Sequence, residues 1–152
     1  MSNEDIAHRY LIAVATFDYA TQEALRHPDW VWEWPQSGER ITTSEDARAI
    51  GEHYPGGHFE SVERRTVGSA DEYVVTPSGT LMKIAGAGDV WTSEWLSRYP
   101  DGETWFTIDI VLLRDGRVVR ETTYWALPFA PPEWRRQWVQ LEQPAQPDPT
   151  RP

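Results

Sequence analysis

The spacing of hydrophobic positions changes character partway along the chain, from a helical repeat to a two-residue alternation. Over residues 4–17, Ile6, Tyr10, Ala13, Val14 and Phe17 recur at helical spacing, with His8 and Arg9 elsewhere around the wheel. Asp18 is placed to cap a short second helix carrying Ala20, Ala24 and Leu25, because its carboxylate accepts from the free amides of the first turn. His27-Pro28-Asp29 ends that helix, since proline disfavours helix in the residue before it. From Trp30 to Trp34 the pattern is extended, with Trp30, Trp32 and Trp34 on one strand face and Val31 and Glu33 on the other. A Pro/Gly loop follows, and residues 44–54 predict a third helix. Thr43 is its N-cap, Glu45 and Asp46 sit at the positive end of its dipole, and Ala47, Ile50 and Tyr54 form the buried stripe. Pro55-Gly56-Gly57 stops it.

Beyond that point the alternation predicts strands over 58–67, 72–76, 80–85, 89–98, 103–113 and 117–126. The breaks are Gly68, Pro77-Ser78-Gly79, Gly86-Ala87-Gly88, Pro100-Asp101-Gly102 and Asp115-Gly116, short connections that suit antiparallel neighbours. Helices first and a curved meander afterwards predict an α+β domain over residues 4–140, closed by a short helix around Trp134 to Val139. The tail 142–152 holds four prolines and no apolar residue larger than alanine, which predicts disorder.

Composition narrows the partners. Lys and Arg number 14 against 24 Asp and Glu, a formal net charge of -10, so no electrostatic footprint for nucleic acid or an anionic membrane is expected. The absence of cysteine removes disulfides, thiol nucleophiles and thiolate metal sites together. The acidic start Met1-Ser2-Asn3-Glu4-Asp5 lacks a signal-peptide pattern, and the longest apolar run, Leu11 to Ala15, is far short of the roughly 20 residues that span a bilayer. A cytoplasmic protein is the expectation.

The Trp34-Pro35-Gln36-Ser37-Gly38-Glu39 loop, the helix after it, the Asp115-Gly116-Arg117-Val118-Val119 hairpin and Glu121-Thr122-Thr123-Tyr124-Trp125 leading into Pro128-Phe129 follow one another in an order similar to that of the nuclear transport factor 2-like superfamily. The resemblance covers about residues 5–140 and is closer to the polyketide-cyclase-like branch. It implies a cone-shaped, barrel-like α+β fold, with N-terminal helices packed on a curved antiparallel sheet that encloses a pocket. That fold hosts isomerases, dehydratases, cyclases, epoxide hydrolases and non-enzymatic binders, so it does not name a reaction. By similarity to ketosteroid isomerases, the oxyanion-hole tyrosine falls on Tyr10 and the oxyanion-hole aspartic acid on Asp109, while the catalytic base falls on Trp34, which accepts no proton. Limonene-type epoxide hydrolases carry Arg-x-Asp on an inner strand, and the comparable Trp91-Thr92-Ser93-Glu94-Trp95 has no arginine between carboxylates. The polyketide cyclases of this fold are held to use one acid on the last strands, a position that Glu121 matches.

Asp109 and Glu121 form the leading constellation. A three-residue Arg114-Asp115-Gly116 loop pairs them directly across the hairpin, on a face shared with Thr107, Val111, Val119, Thr123 and Trp125. The alternative is that both carboxylates point to solvent; a two-residue turn shifts the register by one and pairs Glu121 with Ile110 instead. On a partly buried face, two such groups would hold one proton between them near neutrality, which suits acid–base work. Tyr10 joins them as a third catalytic candidate if its hydroxyl reaches the pocket, although core packing explains it equally well. Phe17, Trp34, Tyr54, His58, Trp95, Thr123 and Trp125 are the expected pocket lining, an aromatic wall for a flat, largely apolar ligand. His53 and His58 flank Tyr54-Pro55-Gly56-Gly57 at a spacing unsuited to one metal, His8 and His27 read as surface residues, and no metal or cofactor is expected. Gly86-Ala87-Gly88 continues into strand and reads as a turn, since phosphate loops open a helix. A small hydrophobic molecule and a second copy of the chain, as a homodimer, are the expected partners. The reactions in view are cofactor-free cyclase, isomerase or dehydratase chemistry, against a non-catalytic binder of the same fold.

Overall fold

The computed structural model describes residues 1–58, 60–62, 73–75 and 81–141. The tail 142–152 and parts of the strands expected over 58–67, 72–76 and 80–85 lie outside the described residues.

Helix α1 (Asn3–Ala15) opens with a capping box: the Asp5 amide donates to Ser2 Oγ at 3.1 Å, and the Ser2 amide returns to Asp5 Oδ2 at 2.9 Å. It stops before Phe17, earlier than the periodicity implied, because Phe17 turns into the left-handed region with φ 57. The Phe17 amide then donates to the Val14 carbonyl at 3.3 Å and the Asp18 amide to that of Ala13 at 2.9 Å, the double closure of a Schellman motif. Glycine usually takes that position, and a side chain there costs roughly 1–2 kcal/mol. The strain leaves the Phe17 ring against the cavity described below. Asp18 caps α2 (Tyr19–Leu25), accepting from the Thr21 amide at 3.1 Å.

Strand β1 (Arg26–Trp34) follows without a break, whereas sequence reasoning closed the helix on His27-Pro28-Asp29 and began the strand at Trp30. Pro28 is tolerated because the register against the neighbouring strand is interrupted between Arg26 and Val31, where no ladder amide is required of it. After the Pro35–Gly38 turn come β2 (Glu39–Ile41) and α3 (Ser44–Glu52), whose Thr43 cap accepts from the Asp46 amide at 3.1 Å. The helix ends at Glu52, short of the expected 54, and of the expected stripe only Ala47 is buried; Ile50 and Tyr54, the latter beyond the helix end, are exposed and line the cavity described below.

The remaining strands are β3 (Glu60–Val62), β4 (Tyr73–Val75), β5 (Leu81–Ala87), β6 (Val90–Arg98), β7 (Thr104–Arg114) and β8 (Arg117–Ala126), followed by a 3-10 helix, Glu133–Trp138. They form one sheet in the order β2-β1-β8-β7-β6-β5-β4, with β3 also on β6. The path ends on β2 and β4, so the sheet is open and the barrel-like expectation is corrected. The sheet is also mixed: β1 runs parallel to β8, and the other pairings are antiparallel. Hairpin turns dictate antiparallel neighbours, but β1 enters beside β8 only after the whole meander has intervened, so no turn fixes its direction.

Turns set the register. Gly86 has Val90 O 2.4 Å from where a Cβ would sit, so only glycine lets β5 close onto β6 there. The Gly88-Asp89 turn is tied to α1 by Asn3 Nδ2, which donates to Gly88 O at 3.2 Å and to Asp89 Oδ1 at 2.7 Å. At the β7–β8 hairpin, Asp115 (φ 53) and Gly116 (φ 69) make a two-residue turn that pairs Arg114 with Arg117. One extra residue, Val119, then enters β8 between the Leu113–Val118 and Leu112–Arg120 pairs. Glu121 therefore pairs with Val111 and Asp109 with Thr123, a register that neither hairpin alternative anticipated. The bulge returns Glu121 and Thr123 to the inner face with Thr107, Asp109 and Val111, and puts Val118 inside in place of Val119. Tyr10, Leu11, Trp30, Trp95, Val111 and Val118 anchor the core between α1 and this face.

Among the described residues, no helix is long and apolar enough to cross a membrane.

Candidate functional site

A cavity of about 340 Å³ lies between the inner face of the sheet, the end of α1, α2 and α3. Its walls carry all seven of the residues expected there: Phe17, Trp34, Tyr54, His58, Trp95, Thr123 and Trp125. Alternation puts Trp32 and Trp34 on one face of β1, and Trp34 stands edge-on to Trp32 at 4.9 Å and to Trp125 at 5.2 Å between ring centroids. Glu33 points the other way, to Arg40 and Arg120 at 3.6 and 3.8 Å. Elsewhere in the wall Phe17 stacks on His58 at 4.2 Å. Tyr19, Gln22, Tyr99, Trp105 and Thr107 are among the lining residues that sequence reasoning did not name. The odd-numbered alternation of β7 carried a signal for Trp105 and Thr107; nothing local marked Tyr19 or Gln22.

Of the three acid–base candidates, only Asp109 lines the cavity. It is 1% exposed, and its hydrogen bonds have a direction. Trp32 Nε1 donates to Thr123 Oγ1 at 2.7 Å, and an indole N–H can only donate. The Thr123 hydroxyl gives its own proton to Asp109 Oδ1 at 2.5 Å. Oδ1 is thus the accepting oxygen. Oδ2 is buried and has no hydrogen-bond partner among the described residues. Burial pushes the Asp109 carboxyl well above the usual carboxylate range, the charge of Glu121 adds to that, and the Thr123 bond only partly opposes it.

Tyr10 and Glu121 belong to a different structure behind the cavity wall. The Tyr10 hydroxyl, fully buried, donates to Glu121 Oε2 at 2.5 Å and accepts from Arg26 Nε at 3.0 Å. Arg26, buried itself, also donates to Gln22 Oε1 at 3.0 Å and Ser44 Oγ at 3.1 Å, and its guanidinium lies 3.7 Å from the centroid of the Trp30 ring. A buried guanidinium stays charged, and Glu121 is its counter-charge across the tyrosine. Burial raises the Glu121 carboxyl, while the Tyr10 bond and the Arg26 charge pull it back. Burial and then the Glu121 charge push the Tyr10 phenol well up, so it stays a neutral bridge. With one positive and one negative group already balanced, a second buried carboxylate has no counter-charge, and both burial and the Glu121 charge favour the protonated form of Asp109. Sequence reasoning missed Arg26, because an arginine beside a strand start ordinarily reads as surface.

The described residues hold no group of three or more His, Cys, Asp or Glu side chains placed to bind a metal.

A scan against protein-family models finds no match, and a search of curated proteins finds none. Solved structures do match. A nuclear transport factor 2-like protein of unknown function from Burkholderia xenovorans is 30% identical, with a TM-score of 0.65 over 93% of this chain and 95% of that one. The chain belongs to the nuclear transport factor 2-like superfamily. A candidate ketosteroid isomerase from Kribbella flavida is similar in fold at 21% identity and a TM-score of 0.71, over 94% of this chain and 91% of that one. A candidate SnoaL-like polyketide cyclase from Shewanella putrefaciens has a TM-score of 0.56 at 12% identity, over 82% of this chain and 80% of that one. In this superfamily member, the resemblance that put Tyr10 beside Asp109 in an oxyanion hole meets a tyrosine whose hydroxyl is taken by Glu121 and Arg26.

Proposed function

We propose that the protein binds a small, flat, largely apolar carbonyl compound and carries out cofactor-free acid–base chemistry on it, with the neutral carboxyl of Asp109 donating a hydrogen bond to the substrate oxygen. The observation that carries this reading is the free Oδ2 of a buried carboxyl at an otherwise aromatic cavity. A carboxylic acid kept neutral by its site donates to a carbonyl and strengthens that bond as enolate charge develops. Trp32 and Thr123 hold the acid in one orientation, so little reorganisation accompanies the charge. Glu121 is a positioning residue in this account: its charge helps keep the proton on Asp109. The cavity suits one or two fused rings, given its volume and an aromatic lining that includes Trp34 and Phe17.

Binding of 2-naphthol, a flat phenol that stands in for an enol, tests the reading by calorimetry. Asp109→Asn keeps a donor at that position and should bind within about threefold of wild type. Asp109→Leu removes it and should weaken binding about tenfold, the equivalent of one lost hydrogen bond. Equal affinity of the leucine variant would reject the role of Asp109. Trp34, at the position where the isomerase resemblance puts the base, favours a second reading in which the same pocket sequesters its ligand without turnover. We further propose that the protein acts in the cytoplasm as a homodimer, joined through the outer face of β7 and β8, where Ile108, Leu112 and Tyr124 are exposed.

A further inference from the structure

The site as described has an acid and no base. We propose that His58 is the proton acceptor of this cavity and that the reaction it serves begins by removing a proton from the carbon next to the carbonyl held by Asp109. The inference rests on the reading of Asp109 given above and adds its missing partner.

Three features of the structure support it. His58 lines the same cavity as Asp109 and is itself exposed where Asp109 is buried, so one cavity offers a ligand both groups. Its ring is held flat against Phe17, with planes 20° apart at 4.2 Å, and meets Tyr19 edge-on at 6.4 Å. Neither ring nitrogen has a hydrogen-bond partner among the described residues, which leaves a lone pair available in a fixed orientation. The strained left-handed backbone of Phe17 is what brings its ring to that stack. The other titratable groups of the described lining are three tyrosines, Tyr19, Tyr54 and Tyr99, and Asp109, to which the acid's part is assigned above. Imidazole is the side chain among them suited to taking and returning a proton near neutral pH.

The step balances without a co-reactant. The C–H bond breaks and its proton passes to the imidazole nitrogen. The bonding pair forms the C=C bond, the carbonyl π pair moves onto oxygen, and Asp109 hydrogen-bonds the oxygen. Return of the proton to the same carbon gives exchange with solvent; return to another carbon gives an isomer.

The test uses 2-tetralone, a flat enolisable ketone, in deuterium oxide, with deuterium uptake read by mass spectrometry and 2-naphthol binding measured beside it. Wild type should accelerate uptake over buffer. His58→Gln should slow it about a hundredfold, the size of a general-base contribution, with 2-naphthol affinity within about threefold and an unchanged melting midpoint. Added imidazole should restore part of the rate in His58→Ala. Asp109→Leu should lower both uptake and binding. Uptake by His58→Gln at the wild-type rate would overturn the assignment and leave Asp109 in place. No uptake by wild type above buffer would overturn the catalytic reading and His58 together.

Discussion

Replacing Tyr10 with phenylalanine removes one oxygen atom from the middle of the buried Arg26–Tyr10–Glu121 chain. That oxygen donates at 2.5 Å to a carboxylate and accepts at 3.0 Å from a guanidinium, and the residue is fully buried, so no water takes its place freely. A hydrogen bond to a charged group contributes about 1.5–3 kcal/mol, and breaking a buried ionic pair on one side costs about 3–5 kcal/mol. The two bonds share one hydroxyl and relax together, so the loss should be about 3–4 kcal/mol rather than their sum. For a domain of this size a kcal/mol moves the midpoint by about 2–4 °C, so Tyr10→Phe should melt roughly 10 °C lower. Urea denaturation followed by tryptophan fluorescence gives the free energy directly. Combined with Glu121→Gln, the loss should be less than additive, because the second change removes the charge that the first leaves stranded. A loss below about 1 kcal/mol for Tyr10→Phe would mean that the chain is solvated or dispensable, and the argument that Glu121 is spoken for would fail with it.

Asp109→Asn should stabilise the protein increasingly as pH rises. A carboxyl whose folded pKa is raised contributes stability that is complete below its unfolded value, about 3.9, and is lost as pH climbs through the folded value. The asparagine carries no such slope, so the difference in melting midpoint between variant and wild type should grow from pH 4 to pH 9; a constant difference would contradict the raised pKa. Phe17→Gly exchanges a strained backbone for a missing half-buried ring, and the two effects, each roughly 1–2 kcal/mol, should nearly cancel in stability while 2-naphthol binding weakens; unchanged binding would remove Phe17 from the ligand wall. Light scattering at high concentration should give twice 17.5 kDa, and Tyr124→Glu should shift the protein toward a monomer; a wild-type monomer would reject the dimer.

Much of the architecture was legible because its signals are local. Asp18 and Thr43 cap their helices through their own side chains, and Asp115-Gly116 marks its turn by the positive φ that both residues must adopt. Five of the seven cavity residues, Phe17, Trp34, Trp95, Thr123 and Trp125, were readable because alternation on β1, β6 and β8 and the end of α1 point one way; Tyr54 and His58 lie on the segment between α3 and β3. The rest depended on events that no local pattern encodes. A single extra residue at Val119 restored the inner-face position of Glu121 that the two-residue turn would otherwise have lost. The parallel meeting of β1 and β8 brings together residues nearly a hundred positions apart, as in the Trp32–Thr123 bond. The direction of Tyr10 was settled by Arg26, whose burial only the packed structure reveals.

The central claim is that Asp109 is a neutral acid at the cavity wall. Carbon-13 labelling of aspartate side chains, with the Asp109 carboxyl assigned by its absence in Asp109→Asn, follows that group by NMR as pH is raised. The account predicts a carboxyl that stays protonated through neutral pH, and whose titration moves to lower pH in Glu121→Gln, because the neighbouring charge that favours its proton is gone. Ionisation of Asp109 like that of a free aspartate, near 3.9, would contradict it.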